Sequence, residues 1–187
     1  KTKIEYIWLD GYSPQNIRGK IKIINGTEDL ELKDISDWSF DGSSTKQAQG
    51  DSSDCILKPV RLYKYHTRRN YYLVLCEVYK HHTNTRAKLR SYNVLLKRHN
   101  YWFGFEQEYF MYKNNKPIDW YNDMDPQGKY YCGVGTRTVA GRQLSNRHLD
   151  KCLDSDIGIT GTNAEVALGQ WEYQIFRNSA IHACDDL

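Results

Sequence analysis

The chain has 187 residues, 40% hydrophobic and 26% charged, with only 4 Pro and 13 Gly and a net charge of +3. That composition excludes a disordered, collagenous or low-complexity chain. It leaves room for one full domain or two small ones, which bury about 70% of their unfolded surface. The longest unbroken apolar run, residues 71–76, falls far short of the ~20 residues a membrane-spanning helix needs. No export-signal pattern is visible at residue 1 onward, so a soluble, cytoplasmic protein without a membrane partner is expected.

Strand character dominates the first eighty residues. Ile4-Glu-Tyr-Ile-Trp-Leu alternates imperfectly and stops at the turn dipeptide Asp10-Gly11. Lys20-Ile-Lys-Ile-Ile alternates next and stops at Asn25-Gly26. Trp38-Ser-Phe leads into Asp41-Gly42-Ser43-Ser44, where Asp-Gly is first of all a turn signal. Tyr71-Tyr-Leu-Val-Leu-Cys is dense enough for a central strand.

Charge is unevenly spread. Residues 58–100 hold eleven Lys or Arg against the single acid Glu77, so the rest of the chain carries −7. Tyrosines 63, 65, 71, 72, 79, 92 and 101 are interleaved with these cations. Cations for phosphates and aromatic faces for bases suit a nucleic acid. A solvated basic face, or a rim that attracts an anionic small molecule, is the plainer reading of the same pattern. No recognised nucleic-acid module accompanies the charge, so no nucleic-acid partner is expected.

Three regions follow: a domain over 1–80, a basic connector over 81–100, and a second unit over 101–187. Residues 101–112 return to strand character, and 119–128 read as a turn-rich loop. Residues 142–154 place Leu144, His148, Leu149, Cys152 and Leu153 on one stripe at helical spacing, which predicts a helix. Ile157-Gly-Ile and residues 165–175 read as strands again. The five cysteines lie at least twenty positions apart, with no CxxC pair. Reduced, mostly buried thiols are expected rather than a disulfide framework or a zinc knuckle.

Four glutamates carry the chemistry. Glu106 and Glu108 lie two apart in Trp102-Phe-Gly-Phe-Glu-Gln-Glu-Tyr109, hence on one face of a strand, about 6.5–7 Å apart. A solvent-facing strand edge would account for that pair alone. Glu165 and Glu172 flank Leu168-Gly169; a two-residue hairpin there would set them directly opposite each other, a pairing that is normally destabilising. Paired carboxylates on two strand segments suit a hard divalent cation, Mg2+ or Mn2+, better than zinc.

Four motifs, in order, resemble glutamine synthetase, its eukaryotic-type branch in particular. They are Trp38-Ser-Phe-Asp-Gly-Ser-Ser-Thr45, the 102–109 segment, Pro126-Gln-Gly-Lys-Tyr-Tyr-Cys-Gly-Val-Gly135, and Gly161-Thr-Asn-Ala-Glu-Val with Gly169-Gln-Trp-Glu-Tyr-Gln174. The resemblance implies an α+β fold, with a β-grasp-like N-terminal domain followed by an incomplete α/β catalytic domain built on a curved antiparallel sheet. It implies an ATP-dependent ligase that makes glutamine from glutamate and ammonia through γ-glutamyl phosphate. Non-catalytic relatives, and ligases that join glutamate to a larger amine, are the alternatives.

Residue by residue, the resemblance implies that Glu108, Glu165 and Glu172 ligate the metal nearer glutamate and Glu106 the metal nearer the nucleotide. ATP contacts fall to Trp102, Glu106 and Glu172. Asp41, with Ser44 beside it, and Tyr131 match the ammonium pocket. Ring-forming homo-oligomers whose active sites are shared between subunits are also implied. The His, Arg and acidic flap that complete the family's site are not among these 187 residues, so the chain is expected to be inactive alone. Two departures are visible. Residues 116–126 are shorter and more acidic than the family's loop, and Phe176-Arg-Asn-Ser stands where Gly-Pro is usual.

Overall fold

The computed structural model describes residues 1–26, 29–50, 52–80, 100–120, 125–135 and 139–187. The chain divides into two compact units, Lys1–Leu95 and Leu96–Leu187. The expected basic connector lies, but for Asn100, outside the described residues. No helix among the described residues is long and apolar enough to cross a membrane.

The first unit is built on five strands: β1 (Thr2–Leu9), β2 (Ile17–Ile24), β3 (Trp38–Asp41), β4 (Asp54–Lys64) and β5 (Tyr71–Tyr79), in the order β2-β1-β5-β4-β3. β1 and β5 run parallel; the other neighbours are antiparallel. In β1 strict alternation buries Thr2, Ile4, Tyr6 and Trp8 on one face. These pack with Phe40, Cys55, Leu57, Val74 and Cys76, and Ile35 closes over them after the 3-10 turn Leu32–Asp34. Burial of this kind contributes about 25 cal/mol for each Å2 of apolar surface removed from water. Tyr6 keeps its hydroxyl satisfied by donating to the Ser36 carbonyl at 2.8 Å.

Strand β4 has no counterpart among the predicted elements. It carries Pro59, which has no N–H for the ladder, and its register slips between Pro59 and Arg61. Before the slip Cys55 and Leu57 face the core; after it Leu62 packs there and Arg61 does not. The inward positions change from odd to even, so no period of two survives for sequence reading to find. Residues 58–80 of the basic, tyrosine-rich stretch lie in this unit as well. Tyr63, Tyr71 and Tyr72 are buried, so packing already uses their faces. Lys58 lies 5.4 Å from the Tyr79 ring centroid, and Arg61 lies 5.5 Å from that of Tyr63.

In the second unit β6 (Phe103–Phe110), β9 (Ile159–Ala164) and β10 (Gln170–Arg177) form an antiparallel sheet in the order β6-β10-β9. A bulge between Gln174 and Ile175 curls it. A small hairpin, β7 (Tyr112–Lys113) and β8 (Lys116–Pro117), follows β6. Helix α1 (Arg142–Asp154) spans the predicted residues, and α2 (Ala180–Asp186) ends the unit. The predicted stripe is rotated, however. Ser145, Leu149 and Cys152 turn inward, at i, i+4 and i+7, while Leu144 and Leu153 stay exposed. The inward position holds a serine because its hydroxyl meets Tyr109 Oη at 3.4 Å and Thr162 Oγ1 at 3.3 Å.

Cys55, Cys76 and Cys152 are buried thiols, and burial pushes Cys76 up to about 12. Cys132 and Cys184 are exposed, so most but not all of the five thiols are buried, and no disulfide joins any pair.

Asp10 anchors the β1–β2 connection. Its carboxylate is buried and accepts from the backbone N–H groups of Tyr12 (3.0 Å) and Asn16 (2.9 Å), from Asn16 Nδ2 (3.3 Å) and from Arg18 Nε (2.9 Å). Burial alone would raise its pKa, but these donors outweigh it and hold the carboxyl at about 2. A folded value below the unfolded one gives stability present above about pH 4 and lost as pH falls toward 2. In thermal melts, Asp10→Asn therefore lowers the melting temperature at neutral pH, and the gap to wild type closes between about pH 4 and pH 2.

Candidate functional site

The sheet of the second unit has two chemically distinct faces. Registers Trp171↔Tyr109 and Ile175↔Phe105 put the large apolar residues on the face that α1 covers. Registers Glu172↔Glu108, Gln174↔Glu106 and Glu172↔Asn163 put carboxylates and amides on the other. Alternation in β6 and β10 dictates this separation.

Glu108, Glu165 and Glu172 converge there, with one carboxylate oxygen from each lying within 4.8 Å of the others. Glu165 and Glu172 are buried; Glu108 is exposed. The hairpin that brings Glu165 in differs from the expected one. Its loop has four residues, 166–169, and Glu165 N–H donates to the Gln170 carbonyl at 2.9 Å, so Glu165 stands opposite Gln170 rather than Glu172. A two-residue loop would place Leu168 at a turn position that favours positive φ. Only Gly169 takes such an angle (+76°), and Leu168 is instead buried with Tyr130 and Ala140. The shift is two residues, so the side chain keeps its face. Glu165 still reaches Glu172, diagonally.

Neutral donors surround the three acids. Gln170 Nε2 donates to Glu108 Oε2 at 2.7 Å, Asn163 Nδ2 to Glu165 Oε1 at 3.0 Å, and Val166 N–H to Glu165 Oε2 at 3.1 Å. Gln174 Nε2 donates to Glu172 Oε1. Among the described residues no Lys or Arg pairs with any of the three. Burial, and then the nearby Glu172 and Glu108, raise the Glu165 pKa above its ordinary value despite the Val166 N–H. Crowded carboxylates without a counter-charge, all oxygen donors, fit a hard divalent cation and its bound waters.

The other predicted residues are placed as follows. Glu106 shares the carboxylate face, opposite Gln174, but is not part of the three-carboxylate cluster. Trp102 is 61% exposed and stacks on Phe176 with centroids 5.2 Å apart. Tyr131 is exposed; its pKa is raised by the Cys132 thiol first, and by the carboxylates of Glu165 and Glu172. Its loop is fixed to the end of β9 by Cys132 N–H on the Ala164 carbonyl, 2.8 Å. Asp41 and Ser44 belong to the first unit. Asp41 caps the 3-10 turn Gly42–Thr45, and the Ser43 hydroxyl (2.7 Å) and N–H (2.9 Å) hold its carboxyl below the ordinary value. The turn signal and the acid are thus the same residue.

Sequence reasoning missed Asn163, Gln170, Gln174 and Phe176. Gln170 and Gln174 are visible in principle, because Gln170-x-Glu172-x-Gln174 has a period of two and shares a face, whereas Asn163 comes in through the pairing of β9 with β10. Phe176, two residues further along that face, fills space beside Gly104.

A five-stranded mixed sheet in one unit and a curled antiparallel sheet bearing a carboxylate cluster in the other define an α+β protein with a candidate metal centre, and comparison with known proteins narrows that class. Residues 1–81 match the family described as glutamine synthetase, beta-Grasp domain. Over its full length the chain is 45% identical to a glutamine synthetase of Bradyrhizobium diazoefficiens, covering 56% of that protein. It is 38% identical to that of Gallus gallus, again over the full chain and 52% of the relative. The cryo-EM structure of Plasmodium falciparum glutamine synthetase shares the fold, with a TM-score of 0.63 at 13% identity over 98% of this chain and 43% of that one. Along its whole length the chain is thus similar to glutamine synthetases, and it spans a little over half the length of these two curated relatives.

The raised pKa of Glu165 has a defined sign. A folded value above the unfolded one gives stability present at low pH and lost as pH rises through the folded value. Metal-free Glu165→Gln therefore melts at or above the wild-type temperature at pH 7, and its melting temperature changes less as pH rises above the ordinary glutamate range. A large loss of metal-free stability would assign Glu165 a structural role instead.

Proposed function

We propose that the protein containing this chain is an ATP-dependent ligase that forms glutamine from glutamate and ammonia. The observation that carries the reading is the convergence of Glu108, Glu165 and Glu172 in a chain 38–46% identical to glutamine synthetases. In the reaction, the γ-carboxylate oxygen of glutamate attacks the terminal phosphorus of ATP and ADP leaves; ammonia then attacks the acyl carbon of γ-glutamyl phosphate and phosphate leaves.

Glu108, Glu165 and Glu172 would hold one Mg2+ or Mn2+, and Glu106 would contribute to a second on the nucleotide side. Bound there, such cations neutralise the oxygens of the transferring phosphoryl group. Trp102 offers a flat, exposed face for the base. Asp41, kept ionised by Ser43, attracts ammonium, and its carboxylate accepts the proton that ammonium must lose before it can attack. Ser44 and Tyr131 complete that pocket. In this reading the first unit of one copy serves the carboxylate face of another within a ring-forming homo-oligomer. The reaction belongs to the cytoplasm, in keeping with unpaired thiols at Cys55, Cys76 and Cys152.

The test is glutamine formation by the protein expressed from its full reading frame, supplied with glutamate, ATP, Mg2+ and ammonia, with ADP release followed across a panel of amines. Glu172→Ala is expected to lower kcat at least about 100-fold, roughly 2.7 kcal/mol of transition-state stabilisation. Absence of glutamine overturns the reading, and turnover confined to a larger amine reassigns the acceptor. An active monomer by sedimentation overturns the shared site.

A further inference from the structure

Each of the three clustered carboxylates is addressed by a different side-chain amide, and two of those amides are joined. Gln174 Nε2 has two hydrogens. One goes to Glu172 Oε1, and the other to Asn163 Oδ1 at 2.7 Å. With its oxygen so occupied, Asn163 must turn Nδ2 outward, and that group donates to Glu165 Oε1 at 3.0 Å. One glutamine therefore sets the orientation of two ligands on two strands. Gln170 does the same for Glu108 independently: its Oε1 accepts from Ala167 N–H at 3.2 Å, which leaves Nε2 aimed at Glu108.

The residue across the ladder from Gln174 makes room for it. Gly161 is its register partner, and a Cβ at Gly161 would come within 2.5 Å of Gln174 Oε1. Amides also suit the electrostatics. A Lys or Arg here would pair with the acids and compete with a cation, whereas a neutral donor fixes an oxygen without cancelling its charge.

We infer that Gln174 is the positioning residue of the carboxylate site, orienting Glu172 directly and Glu165 through Asn163, so that the site is preformed before any cation arrives. The inference rests on the cation site proposed above.

Its test is a calorimetric Mn2+ titration of the metal-stripped protein from the full reading frame, with parallel metal-free melts, on wild type and Gln174→Met. Methionine keeps the length of the side chain and removes both donors. The expected result is Mn2+ affinity weaker by about 10- to 100-fold in the folded variant, the usual effect of removing a group that orients a metal ligand. Should Gln174→Met fold poorly, Gly161→Ala displaces the same amide without deleting it and is expected to weaken Mn2+ likewise. A lowered melting temperature with unchanged Mn2+ affinity would make Gln174 merely a strand tie and overturn the inference, leaving the cation site standing. A wild type that binds no Mn2+ overturns the site and the inference together.

Discussion

Two buried glutamates and an exposed third share one side of a three-stranded sheet, with no lysine or arginine of the described residues pairing with them. Their mutual repulsion is the constraint around which the second unit is arranged. Apolar packing on the reverse side, through Phe105, Ile175 and Cys152, fixes the strands regardless of what the acids prefer. Amides and one backbone N–H then hold the carboxylate oxygens individually. The arrangement trades metal-free stability for a site already in shape, a compromise expected where binding rather than folding is under selection.

The first unit solves the opposite problem. Asp10 is a buried acid as well, yet four donors surround it, one of them the Arg18 guanidinium, and its charge strengthens the fold. The contrast is chemical rather than positional. A carboxylate with its lone pairs filled by the protein belongs to the scaffold, whereas one whose nearest charged neighbours are other carboxylates is available to a ligand. Arg177 and Asp186 repeat the scaffold version in the second unit, at 2.7 Å, tying α2 to β10.

Much of this could be read in the chain beforehand, for identifiable reasons. Strands β1, β2 and β6 and helix α1 declare themselves through local periodicity, which their tertiary contacts reinforce. Strand β4 does not, because a proline and a bulge exchange its inward and outward positions midway. The face shared by Glu106 and Glu108 was legible because alternation is a local property, whereas the place of Glu172 beside Glu108 depends on the pairing of β6 with β10. The hairpin register was not: it depends on Leu168 finding a cavity lined by Tyr130 and Ala140, residues far from it in sequence. The rotation of α1 likewise turns on a hydroxyl partner for Ser145, which no count of leucines reveals.

The four-residue loop between β9 and β10 bears on how such a chain can drift over generations. Residues gained or lost within 166–169 leave Glu165 on its side of the sheet, because the pairing of Gly161 through Ala164 with β10 already decides which way the next side chain faces. A single residue gained or lost between Gly161 and Glu165 would instead carry the acid among the apolar side chains beneath α1. Length is thus free to drift in the loop, whereas inside the strand only changes that preserve parity leave the acid where it is.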